Sequence, residues 1–416
     1  MHGKIRAAAE ALKPRAVDLL RELVRIPSEN HPPHGGELAV QEFYQCWLSE
    51  RGVESSLRFP VEIPGFTAHP ARLAEHDMAG RPNVVAKLPG TGGGRSLLVL
   101  AHADVVPIGP REAWDGAPFG GEVRGGLLYG RGAGDDKCGM AIAAMIPLAL
   151  RAAGVELAGD LTIAAVADEE AGGGNGTAAL FADGVRADAA VYLDGSNQTI
   201  WNAGLGGGFA YLTLPSGADP RWAREIIMAL KEERKQAIVG HRAFGAAFFE
   251  QSMQDFFSIA QNGNGLTFFL DTLPGEDEGA LRRQAEAALR PAGTIRWMSR
   301  FLKPSDALAD DHPLVATLSD AFQAATGRRP RVGPGRQSDQ GLVSHFGGVP
   351  CVLFGCGRLG RDGSPHRPNE CVSLEEFGEN LVAAVLMAAA WCGARHPHCG
   401  GTFQQQVTQP LARCLP

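Results

Sequence analysis

The chain has 416 residues, of which 39 are basic and 46 acidic, with a net charge of −7 and 44% hydrophobic residues. That length allows two or three domains with a sizeable core, and mixed charge without a basic stripe excludes nucleic acid or an anionic membrane surface as partner. No apolar run reaches the ~20 residues of a membrane-spanning helix, and the amino terminus, with Lys4, Arg6, Glu10 and Lys13 among alanines, lacks a signal-peptide apolar region, so a cytoplasmic protein is expected.

From Lys4 to Val24 the apolar positions Ile5, Ala8, Leu12, Val17, Leu20 and Val24 recur near helical spacing, with Pro14 expected to open a second helical segment. A proline-rich loop follows, and Glu37 to Arg51 reads as an amphipathic helix stopped by Gly52. Asn83 to Leu88 is a strand. The next strand ends Leu97-Leu-Val-Leu-Ala-His-Ala-Asp104 and delivers His102 and Asp104 at its carboxyl end, where open α/β sheets place ligands. A metal-bound histidine usually has its second ring nitrogen held by a carboxylate or carbonyl, so this His-x-Asp is either a ligand with its orienting group or a surface turn.

A glycine-rich loop then leads to Gly130-Arg-Gly-Ala-Gly-Asp-Asp-Lys-Cys-Gly139, followed by an alanine-rich helix from Met140 to Ala153. Asp135 thus sits where a loop enters a helix. The loop lacks the Gly-Lys-Ser/Thr ending of a nucleotide site, and Asp135-Asp136 would repel phosphate. Asp160 to Ala167 is another buried strand, ending in Asp168, Glu169 and Glu170. Adjacent carboxylates repel one another unless a cation or shared proton compensates them, the alternative being a solvated acidic turn. Ala189 to Leu193 delivers Asp194 in the same manner, so the helix-separated strands describe a sheet with its acidic residues on one edge.

Around Trp201 the character changes. Gly204 to Gly208 reads as flexible, then Phe209 to Leu214 as a strand, Pro220 to Ile238 as a helix, Leu266 to Leu270 as a strand and Glu278 to Leu289 as a helix, together a small α+β insertion of ferredoxin-like form. After Arg300 come the helix Pro313 to Thr326, the segment Gly335-Arg-Gln-Ser-Asp-Gln-Gly341, the strand Val349 to Phe354, the loop Gly363-Ser-Pro-His-Arg-Pro-Asn-Glu370 and a helix from Leu374. The expected fold is an α/β catalytic domain with a mostly parallel sheet flanked by helices, formed by residues 1–200 and 301–416, plus a smaller α+β lid or dimerisation domain at 201–300. The eight cysteines form no Cys-x-x-Cys pair and are expected to be reduced. Cys392, Cys399 and Cys414 with His396 and His398 match no zinc module in spacing.

With His102-x-Asp104, Gly-Arg-Gly-Ala-x-Asp135-x-Lys, Asp-Glu169-Glu170 and His366-x-x-Asn-Glu in this order, the sequence resembles the M20 metallopeptidase family, which includes acetylornithine and succinyl-diaminopimelate deacylases, aminoacylases and glutamate carboxypeptidases. Ile26-Pro-Ser, Trp114-Asp, Pro118-Phe and Gly347-Gly-Val-Pro agree. The resemblance implies one or two divalent metal ions bridged by Asp135, one ion also held by His102 and Asp194 and the other by Glu170 and His366. It further implies Asp104 set on His102, Glu169 as general base, a cis peptide after Asp135 and a homodimer formed through the insertion. Two imidazoles and three carboxylates suit zinc, cobalt or manganese, and sequence does not choose among them.

Two features of the family are absent. The insertion's usual Gly-x-x-x-His segment is here Leu212-Thr-Leu-Pro-Ser-Gly-Ala-Asp219, leaving His241 as the insertion's histidine, and the usual arginine before Pro-Gly is replaced by Asp271. His241 and Arg336 are therefore the candidate substrate-binding residues. The expected function is metal-dependent hydrolysis of a C–N bond in a small carboxylate-bearing molecule, such as an N-acyl amino acid or dipeptide. The alternatives are an aminohydrolase or other hydrolase of a non-peptide C–N bond, including an aromatic amine, and a non-catalytic metal-binding scaffold.

Overall fold

A computed structural model describes residues 1–172, 174–253, 255–298 and 302–396, so Cys399, Cys414 and His398 of the tail lie outside the described residues. The main sheet has strand order Asp306–Ala307, Thr199–Gly204, Cys351–Leu353, Ala189–Tyr192, Leu97–His102, Leu161–Val166, Asn83–Leu88, Ser55–Arg58, and Arg331–Gly335 also pairs with Thr199–Gly204. The four strands from Cys351–Leu353 to Leu161–Val166 are mutually parallel. Their apolar runs are buried on both faces, as a parallel sheet covered by helices requires. Leu97, Val99 and Ala101 pack with the helices His2–Arg25, Lys137–Ala152 and Leu374–Cys392. Leu98 and Leu100 face the other way, toward the helices Asn175–Ala182 and Gln340–Gly347.

Pro14 does not divide the first helix, which runs unbroken from His2 to Arg25. Ile5, Ala9, Ala16, Leu19, Leu20 and Leu23 are all buried along one face. At ~1.5–3 kcal/mol for each large apolar side chain, that face outweighs the ~3 kcal/mol cost of an internal proline.

A second sheet, wholly antiparallel, has the order Ile259–Asn262, Gly265–Thr272, Gly206–Thr213, Thr294–Trp297. The helices Pro220–Gly240 and Glu278–Leu289 cover it through Ile227, Leu230, Leu281 and Leu289, the ferredoxin-like arrangement expected for the insertion. The stretch read as flexible is instead divided between strands of the two sheets. Its small residues let backbones approach: a Cβ on Gly206 would lie 2.0 Å from the Lys303 carbonyl oxygen. Cys138, Cys351, Cys356, Cys371 and Cys392 are free, as expected of reduced thiols, whereas Cys46 is disulfide-bonded, a departure from that expectation for which the sequence carries no spacing signature. Among the described residues no helix is long and apolar enough to cross a membrane.

Candidate metal centre

Strand register brings the polar residues to one edge of the main sheet. His102 pairs opposite Val166, so Asp168, Glu169 and Glu170 follow immediately on that side. On the other side Tyr192 pairs with Leu100, which puts Asp194 level with His102. The neighbouring strand Cys351–Leu353 leads into the loop that carries His366.

Asp135 stands at the centre of the cluster. Its Oδ1 is 2.8 Å from His102 Nε2 and its Oδ2 is 3.1 Å from His366 Nε2. His366 Nε2 is also 2.8 Å from Glu170 Oε2, and Asp194 Oδ1 is 3.9 Å from His102 Nε2. Donor atoms of His102, Asp135 and Glu170 lie within 4.8 Å of one another. All five residues named as ligands from the sequence are thus brought together. His366 is 53% exposed and forms the solvent side of the cluster, while the His102 side chain is fully buried.

The loop aiming Asp135 is clamped from a distant part of the chain. Glu370 Oε1 accepts hydrogen bonds from Gly134 N at 3.0 Å and Asp135 N at 3.2 Å, and its Oε2 accepts from Arg131 Nη1 at 2.6 Å. The Gly-Arg-Gly and Asn-Glu motifs are therefore two halves of one buried clamp. Asp136 follows through a cis peptide, accepts from Gly139 N at 3.1 Å to cap the Lys137–Ala152 helix, and accepts from His102 N at 3.2 Å.

Asp104 acts through both its main chain and its side chain. The partner of His102 Nδ1 is the Asp104 backbone carbonyl at 2.9 Å, whereas the Asp104 carboxylate is 3.7 Å away. That carboxylate accepts instead from Glu169 N and Glu170 N, both at 3.0 Å, and from Asn30 Nδ2 at 2.8 Å. Asp104 therefore fixes the imidazole with its main chain and the Glu169–Glu170 turn with its side chain.

Asp168 holds the other end of that turn, with φ of 64°, a left-handed conformation uncommon outside glycine. Its buried carboxylate receives His76 Nδ1 at 2.9 Å, Arg81 Nη2 at 2.9 Å, Asn175 Nδ2 at 2.8 Å and Asn30 Nδ2 at 3.1 Å. Arg81 also binds Glu37 through Nε at 2.9 Å and Nη2 at 2.5 Å. Sequence reasoning missed the roles of Glu37, His76 and Arg81, because a charge at a helix start or in a loop looks solvated until the fold buries it.

Asp135, Glu169, Glu170 and Asp194 place four carboxylates in this cleft. Burial, reinforced by the charge of Asp135, pushes Glu170 above its ordinary range and Asp194 well above it. Burial lifts Glu169 to about 7, with Lys303 working in the opposite direction. Burial opposes charge on the imidazoles, yet Asp135 at His102 and Glu170 at His366 raise both well above the ordinary histidine value. The cluster is thus a set of oxygen and imidazole donors short of positive charge, which a divalent cation fits.

Neither substrate-binding candidate shows a contact with these carboxylates. His241 Nδ1 accepts from Ala243 N at 3.2 Å, and its ring packs on Phe244 with centroids 5.4 Å apart. Arg336 lies in the field of Asp271, whose carboxylate accepts from Gln337 Nε2 at 2.5 Å. The cation beside Glu169 is Lys303, which sequence reasoning missed.

Known proteins are similar to this chain in sequence and in fold. It is 31% identical to a succinyl-diaminopimelate desuccinylase of Methylorubrum extorquens, over 86% of this chain and 94% of that one. It is 27% identical to the N-formyl-4-amino-5-aminomethyl-2-methylpyrimidine deformylase of Bacillus subtilis, over 93% and 96% of the two chains. Its fold matches that of an M20 family metallo-carboxypeptidase from Sulfolobus solfataricus with a TM-score of 0.69 at 16% identity, covering 90% of this chain and 99% of that one. The family model described as Peptidase family M20/M25/M40 matches residues 98–390, and the chain belongs to that family.

Proposed function

We propose that the chain is a metal-dependent hydrolase that cleaves the amide C–N bond of a small carboxylate-bearing substrate, such as an N-acyl amino acid or dipeptide, with Glu169 as general base. The observation that carries the reading is Glu169 itself, a buried carboxylate beside the donor cluster that pairs with neither imidazole of it and is 3.6 Å from Lys303. His102, Asp135 and Asp194 would hold one divalent ion and Asp135, Glu170 and His366 a second. When bound, such ions lower the pKa of a water and polarise the scissile carbonyl. Glu169 takes the proton of the attacking water on its carboxylate and returns it to the leaving nitrogen. A carboxyl group lifted to about 7 suits this work, because it must accept and release a proton near neutral pH.

The desuccinylase relative supports an acyl–nitrogen bond as the target. The deformylase relative favours a second reading, a non-peptide C–N bond on a ring-bearing amine, which uses the same water and the same base. Closure of the inserted unit, residues 201–300, over the site and homodimer formation through it belong to the same proposal. Phe209, Trp222, Met228 and Met298 support the dimer, as large apolar side chains exposed on that unit.

The test is a panel of N-succinyl and N-acetyl amino acids, dipeptides and N-formyl heteroaryl amines, with free amine and ammonia measured separately. The expected result is release of free amine and a ~10²–10⁴-fold loss in Glu169→Gln at unchanged metal content. Ammonia as the product moves the reading to deamination. Full activity in Glu169→Gln refutes the base, and a metal-loaded wild type inert on the whole panel leaves the scaffold reading.

A further inference from the structure

Lys303 is a buried cation that the reaction as written does not use. Its Nζ is 2.7 Å from Asp339 Oδ1 and 3.6 Å from Glu169 Oε1. Among the described residues no other Lys or Arg forms an ion pair with Asp135, Glu169, Glu170 or Asp194. An ammonium carries three donor hydrogens. Asp339 takes one, and at 3.6 Å Glu169 lies beyond hydrogen-bond range, so donors remain for a third group seated beside the base.

The ammonium is also built into place. Asp339 is fully buried and anchored by Thr177 Oγ1 at 2.6 Å, so it holds the lysine where it is. The Lys303 main chain exchanges two hydrogen bonds with Gly207, each 2.8 Å. The absence of a side chain at Gly206 lets that strand close on Lys303, and on the other flank a Cβ at Gly341 would lie 1.7 Å from the Pro304 carbonyl oxygen. A strand and a helix therefore press on residues 303 and 304 from two sides. Such fixed donors in a water-poor site do most for a charge that appears only in the transition state.

We propose that Lys303 is a catalytic residue whose ammonium donates a hydrogen bond to the scissile carbonyl oxygen as that oxygen becomes negative. The inference rests on the amide-hydrolase reading above. Water adds to the carbonyl carbon, its proton passes to Glu169, and the electron pair of the C=O bond moves to the oxygen that Lys303 faces. No proton leaves Lys303. A water hydrogen-bonded to Glu169 stands about one bond-forming distance from the carbonyl carbon, so a donor 3.6 Å from Glu169 is placed on the scale of a single substrate group.

The experiment compares Lys303→Met, Lys303→Arg and Lys303→Ala with wild type, measuring kcat, KM, bound metal and thermal midpoint on an amide substrate that wild type hydrolyses. The expected result for Lys303→Met is a ~10²–10³-fold fall in kcat with KM and metal content near wild type. Lys303→Arg keeps a charged donor and regains part of the loss, and added ethylammonium partly restores Lys303→Ala. A Lys303→Met enzyme with kcat within about threefold of wild type overturns the proposal and leaves the hydrolase reading standing. So does a fall that tracks lost metal or lost folding and that neither arginine nor ethylammonium repairs. If wild type hydrolyses no amide at all, the hydrolase reading fails first, and the two failures are distinct.

Discussion

Replacing Arg81 with methionine withdraws one cation from between two buried carboxylates. Arg81 is 1% exposed, and Glu37 and Asp168 are fully buried. Its Nη2 is 2.9 Å from Asp168 Oδ1, and Nε and Nη2 reach both Glu37 oxygens. Breaking a buried pair by deleting one partner costs ~3–5 kcal/mol, because the remaining charge has lost its solvent and gained nothing. His76, Asn175 and Asn30 still bind Asp168, and burial already lifts Glu37 to about 7, so that it can neutralise by taking a proton. The expected cost of Arg81→Met is therefore at the lower end, ~3 kcal/mol, read as a lower denaturant midpoint. Activity should fall as well, since Asp168 in its left-handed conformation is what turns Glu169 and Glu170 into the cleft. The double variant Arg81→Met with Glu37→Gln removes both charges and should cost at least ~2 kcal/mol less than the two single changes added. A cost below ~1 kcal/mol for Arg81→Met, or simple additivity in the double variant, refutes the assignment of this network as a charge-balanced support.

Asp104→Asn should lower stability by ~1.5–3 kcal/mol and reduce kcat, because an amide N–H must then face either a backbone N–H of Glu169 or Glu170 or the side chain of Asn30. Metal content should stay near wild type, since His102 is oriented by the Asp104 carbonyl, and loss of the metal in this variant returns the orienting role to the carboxylate. Burial raises Asp271 from 3.8 to about 6, with Lys231 the largest opposing influence. The folded chain keeps this proton while the unfolded chain loses it, so stability falls as pH rises from about 4 to about 6, by up to ~3 kcal/mol. Asp271→Asn should lose that downward slope, and an unchanged pH profile in the variant sinks the assignment.

Much of the site is legible in the sequence because it sits where periodic strands stop. Leu97 to Leu100 and Asp160 to Ala167 are apolar runs that end in polar residues, and parallel register does the rest, setting His102 between Asp194 and the Glu169–Glu170 turn. What stayed hidden lacks a local pattern. Glu37 and Arg81 are far apart in sequence and meet only in the fold. Lys303 follows Phe301-Leu302 with no spacing to mark it, and Asp104 divides its work between main chain and side chain, which residue identity alone cannot express. Pro14 and the glycines from Gly204 to Gly208 misled in the opposite direction, as breakers by propensity that packing places inside regular elements.

His102, Asp135, Glu170, Asp194 and His366 are proposed to converge on divalent cations. Diffraction from crystals of zinc- or manganese-loaded protein, collected at the metal absorption edge, tests it most directly. Anomalous peaks are expected ~2.0–2.2 Å from His102 Nε2, His366 Nε2 and the carboxylate oxygens of Asp135, Glu170 and Asp194, with Asp135 shared where two peaks occur. An active, metal-loaded protein whose peaks lie away from these residues contradicts it.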